Sequence, residues 1–148
     1  MAYPYGNQLY QKGRNHFLRG DLSWKSGATG WRAYLVDLQG TAGSPSPYTP
    51  NFVNDEFLSA IPSVCLISEI ALAPADPVDG VADAPDVTFP AVTGATSEAI
   101  IIVHWVTSAA DSQLVAYIDN ATGLPVIPNG GDIAVTWGDV SDLNIFKL

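Results

Sequence analysis

Residues 98–107 read EAIIIVHWVT, the most apolar run in the chain. Its length and β-branched content predict a central strand rather than a helix. Residues 113–119 (QLVAYID) follow a short polar stretch and predict the antiparallel partner of that strand. Upstream, 31–38 (WRAYLVDL) alternates Trp31, Ala33 and Leu35 against Arg32, Tyr34 and Val36. Both sets are mostly apolar, which predicts a strand covered on both faces. Further extended segments are expected at 64–72 (VCLISEIAL), 86–89 (DVTF), 124–127 (LPVI), 132–137 (DIAVTW) and 144–148 (NIFKL). Asn129, Gly130 and Gly131 suit the positive-φ positions of a tight hairpin turn into 132–137. Roughly seven or eight short strands at such spacing predict a mainly β fold, an antiparallel sandwich or barrel of jelly-roll type.

Helical signals are confined to the first 61 residues. A helix is expected over about 7–19, with Asn7 as N-cap and Gly20 as the stop. Tyr10, Phe17 and Leu18 fall near one face of it, Lys12 and Arg19 on another. Gly13 weakens this helix by about 1 kcal/mol relative to Ala, so it needs a surface to pack on. A second short helix is expected over 51–61, capped by Asn51, carrying Asp55 and Glu56 in its first turn and ended by Pro62. Residues 40–50 and 73–85 are loops by composition.

Charge divides the chain into two zones. Residues 1–32 hold five bases (Lys12, Arg14, Arg19, Lys25, Arg32) and one acid, Asp21; the remainder holds Lys147 and fourteen acids. This suggests a basic N-terminal arm over 1–32 on an acidic β body over 33–148, an arrangement that speaks to partners and not to fold. The acidic body disfavours nucleic acid and anionic membranes as partners. No run reaches the length of a membrane span. The opening MAYPYG (1–6) lacks the apolar core of a secretory signal, so synthesis in a cytoplasm is the expectation. Cys65 lies alone in an apolar run and reads as a small buried hydrophobe.

Sites of chemistry are sparse. Neither a phosphate-cradling glycine motif nor a nucleophile elbow occurs, and no cofactor is expected. His104 lies inside a core strand and reads as structural. Asp76, Asp79, Asp83 and Asp86 share a Pro-rich loop that could offer oxygen ligands to Ca²⁺, although their spacing is not that of an EF-hand and a solvated loop is the simpler reading. The basic segment is rich in the aromatic and Arg side chains that favour protein interfaces. Tyr3, Tyr5, Tyr10, Lys12, Arg14, Phe17, Arg19, Trp24 and Lys25 are therefore the candidate partner-binding residues.

Three stretches carry a resemblance: 48–62 (YTPNFVNDEFLSAIP), 83–94 (DAPDVTFPAVTG) and 114–137 (LVAYIDNATGLPVIPNGGDIAVTW). Together with the opening LYQKGRNHFLRGDLSW and the closing IFKL, they resemble small structural proteins of tailed bacteriophages over nearly the whole chain. The sequence departs from that pattern in the loop at 40–47. The resemblance implies a capsid decoration (cement) protein that is no enzyme, bound to the major capsid protein on the outside of the virion. A tail, neck or baseplate component is the alternative, and a surface glycan-binding module a second. Self-association is expected around a capsid symmetry axis, with a trimer favoured over a dimer. The arm would dock on acidic patches, and a chain without residues 1–24 should then stay folded.

Overall fold

In a computed structural model, which describes residues 5–39, 47–138 and 145–148, the chain forms ten regular elements besides two 3-10 turns. They are β1 (Gln8–Leu9), α1 (Gln11–Arg19), β2 (Trp31–Val36), β3 (Leu66–Ala71), β4 (Val81–Ala82), β5 (Val87–Phe89), β6 (Ala99–His104), β7 (Gln113–Ile118), β8 (Ile133–Val135) and β9 (Phe146–Lys147). The apolar run is the middle of the main sheet. That sheet is antiparallel and five-stranded, in the order β1-β7-β6-β2-β3. The β6–β7 hairpin forms as its sequence predicts. Asp111 fixes the connecting turn by accepting from the N–H groups of Thr107 (3.1 Å) and Ser108 (2.7 Å) and from the Thr107 hydroxyl. Those donors pull its carboxyl down to about 2.

Alternation in the central strands builds a core on each face of the sheet. Trp31, Ala33, Leu35, Ile100 and Ile102 point to one side and pack with Leu22, Trp24, Phe89, Trp137 and Phe146. Tyr34, Val36, Ala99, Ile101 and Val103 point to the other and meet Tyr10, Tyr48, Leu58, Ile61 and Cys65. In β7 the alternation breaks once. Ile102 pairs with Ala116 and Val103 with Leu114, so Val115 is the extra residue of a bulge. Val115 and Ala116 consequently both join the first core.

The mainly β class holds, with one five-stranded antiparallel sheet as its largest unit. Among the described residues, the other strands pair only as two short ribbons, β4 with β9 and β5 with β8. Prolines at 74, 77, 85 and 90 keep this region from forming long ladders. The glycine-rich turn at 129–131 also pairs differently from expectation. Gly130 N–H donates to Val92 O (2.8 Å), Val92 N–H to Gly131 O (2.9 Å), and β8 runs along β5 instead of along 124–127. Pro125 and Pro128 leave 124–128 few amides for a ladder, and Val126 bridges Ser97 instead.

Both expected helices are shorter than their sequence patterns. Asn7 does not cap α1: its side chain accepts from Asp119 and Asn120 N–H (both 2.9 Å) and donates to Asn120 O (3.1 Å). Residues 8–9 pair with β7, and the helix begins only at Gln11. Gly20 ends it in the left-handed region, φ 83°, as expected. The helix expected over 51–61 reduces to a turn capped by the Asn51 side chain and a 3-10 turn at Leu58–Ala60. Between them Glu56 O accepts from Leu114 N–H (2.9 Å) and Leu58 N–H donates to Ser112 O (2.8 Å), so strand-like pairing with β7 prevails over the helix.

Candidate functional site

The basic N-terminal segment is built into the fold, which corrects its reading as an arm set apart from a body. β1 is an edge strand of the main sheet, and α1 lies across β7. Asp119 clasps the chain ahead of β1, accepting from Tyr5 N–H (2.5 Å), Gly6 N–H (3.0 Å) and the Tyr117 hydroxyl (2.7 Å).

This packing divides the nine candidate partner-binding residues. Tyr10 is fully buried, its ring against Phe52 and its hydroxyl 2.9 Å from that of Tyr48, which in turn donates to Asp55 (2.8 Å). Burial pushes both phenols up. Trp24 is buried edge-on to Trp31 and Phe146, with its indole N–H on Asp83 O (3.1 Å). Both therefore turn their rings into the chain's own core. Half-buried Phe17 stacks on Trp31 at 5.9 Å, and Tyr5 sets its ring edge-on to Phe52 and Tyr117. Both spend most of their apolar surface inside the chain. Tyr3 lies outside the described residues. Lys12 is half-buried, whereas Arg14, Arg19 and Lys25 are exposed. With Asn15 and Leu18, itself 87% exposed, Arg14 and Arg19 form the outward face of α1.

The four loop aspartates do not converge. Asp76 accepts from Ser26 N–H (2.8 Å) and Asp86 from Trp137 N–H (2.9 Å). Asp79 stands at the tip of the β4 turn with φ 54°, and Asp83 is half-buried with its carbonyl receiving Trp24. Among the described residues no three His, Cys, Asp or Glu side chains gather as a metal cage would require. His104 is held as a structural residue, between Gln113 Oε1 (3.3 Å) and Thr29 O (3.2 Å). Cys65 is buried.

Two polar clusters, one around buried His16 and one fully buried, escape sequence reading. In the first, His16 on the inner face of α1 sits between Asp21 Oδ2 (2.9 Å at Nδ1) and Glu56 Oε1 (2.8 Å at Nε2). Arg19 joins through Asp21 (3.0 Å), and the His16 and Arg19 contacts hold the Asp21 carboxyl below its usual range. The cluster ties α1 to the segment that pairs with β7, across 40 residues of sequence. His16→Ala removes the buried ring that joins the two carboxylates and is expected to lower the urea midpoint. His16→Gln keeps one of the bonds and should recover part of the loss.

The second cluster is the acid pair Asp37 and Glu98, 0% and 2% exposed. Glu98 Oε1 accepts from Leu38 N–H (2.7 Å), and Asp37 Oδ1 from Gln39 N–H (3.0 Å). Burial first, and then the neighbouring Asp37 carboxyl, push Glu98 up to about 7, against the pull of the Leu38 and Gln39 amides. The folded state therefore holds this proton more tightly than the unfolded chain. Its contribution to stability is full below about pH 4.5 and is lost as pH rises through about 7. Urea unfolding from pH 5 to pH 8 should show that decline. Glu98→Gln, which still accepts from Leu38 and donates to Asp37, should remove it and stabilise the protein at pH 8 by about 2 kcal/mol.

Compared with protein-family models and with curated proteins, the chain gives no match.

Proposed function

We propose that this protein is a structural component of a tailed-phage virion, a capsid decoration protein that binds the major capsid protein and stabilises the head. What supports the reading is the resemblance to phage structural proteins carried by the strings at 48–62, 83–94 and 114–137. Its geometry is consistent with adhesion. The clusters around Asp119, Tyr48 and His16 join distant parts of the chain. The outward face of α1 is cationic around exposed Leu18, on a chain of net charge −9. Such a face suits an acidic shell, with steering from Arg14, Arg19 and Lys25 and apolar contact from Leu18.

Docking is thus assigned to the outer surface of a folded segment, not to a detached arm. The test is co-sedimentation with expanded capsids lacking the protein. Wild type should saturate a fixed number of sites. Leu18→Asp should weaken binding at least tenfold, a loss of about 1.4 kcal/mol, with unfolding unchanged. Binding to tails and not to heads would favour the tail, neck or baseplate reading. Failure to bind either would sink a virion role.

A further inference from the structure

We infer that copies of this chain join head to tail, the turn at Asp76–Gly80 of one entering a cationic groove beside β1 and β9 of the next. The groove has a volume of about 250 Å³ and lies between the two strands. Its floor is apolar, from Leu9, Ala116 and Phe146, and its rim carries Arg14 and Lys147. Lys147 is the chain's one base outside the N-terminal segment, and the fold sets it on the same groove as Arg14. Neither makes an ion pair among the described residues, although the chain carries fifteen acids.

The turn has the matching chemistry. Val78 is 60% exposed and is flanked by the exposed carboxylates of Asp76 and Asp79. Asp79 and Gly80 both have positive φ (54° and 77°), and Val78 and Val81 close the turn with mutual backbone hydrogen bonds. It is therefore a narrow projection: one apolar side chain between two anions, facing a pocket with an apolar floor between two cations. At about 0.1 M salt the Debye length is about 10 Å, so the net negative charges of two bodies are screened while these local opposites still attract.

The two patches adjoin on one molecule. Val81 pairs with Lys147, and Leu148 N–H donates to Gly80 O (3.3 Å). A head-to-tail contact of this kind closes a ring when the rotation between successive copies closes, and runs on as a filament when it does not. The contact stands independently of any capsid.

Sedimentation of the purified full chain tests it, with thermal unfolding as the control for folding. Wild type should associate in ~0.1 M salt, and its dissociation constant should rise at least tenfold in ~1 M salt. The groove variant Arg14→Glu with Lys147→Glu should be monomeric, and so should the turn variant Val78→Asp. All three positions are exposed, so both should unfold like wild type. An equal mixture of the two variants should pair one to one, because each supplies the patch that the other lacks. A wild-type monomer at all concentrations, variants that assemble like wild type, or a mixture that stays monomeric would each overturn the inference.

Discussion

A chain lacking residues 1–24 is expected to lose its cooperative unfolding transition. Truncation removes β1, α1 and the buried side chains Leu9, Tyr10, Leu22 and Trp24, with half-buried Phe17. At roughly 2 kcal/mol for each large apolar side chain, the loss is about 10 kcal/mol. That is comparable with the whole stability of an ordinary domain. It also exposes the edge of β7 and breaks the Asp119 clasp. Far-UV circular dichroism through a thermal ramp reads the result. A truncated chain that melts sharply near the wild-type temperature would mean that the N-terminal segment is the separable arm its charge suggests.

Gly13→Ala is expected to destabilise the protein by about 2 kcal/mol, although Ala is the better helix former. Helix propensity alone predicts a gain of about 1 kcal/mol. Gly13, however, packs directly on the backbone of β7. A Cβ there would lie 2.5 Å from Leu114 O and 3.0 Å from Val115 Cα, both backbone atoms that cannot rotate away. Helix and strand would have to separate, and overpacking of this kind costs about 1–3 kcal/mol before repulsion at the carbonyl is added. Asn15→Ala, on the exposed face of the same helix, is the control and should be neutral or slightly stabilising. If Gly13→Ala raises the urea midpoint, the close approach of α1 to β7 is wrong.

Legibility in the sequence followed the range of the interaction. The central strands were readable because alternation and β-branching report burial locally, as in 31–36 and 99–104. The glycine at 20 was readable because a helix end needs a left-handed residue. Gly13 was read as a weakness because its purpose, room for a carbonyl 101 residues away, leaves no local trace. The charge zones misled for a related reason: the segment is cationic outside and aromatic inside, and composition adds the two faces together. The inner face, Tyr10, Gly13, His16 and Phe17, does recur at helical spacing, and would have identified Tyr10 as core had His16 been counted with the apolar side. Glu98 offered one signal, an acid at the head of the most apolar strand, but its partner Asp37 lies 61 residues earlier.

The direct measurement of the functional claim is the position of this chain in an intact particle, by electron cryomicroscopy of the virion at side-chain detail. Density for the five-stranded sheet on the outer surface of the head, with Arg14, Leu18 and Arg19 against the major capsid protein, is the predicted result. Density on the tail, or a head-bound copy with the outward face of α1 turned to solvent, would contradict it.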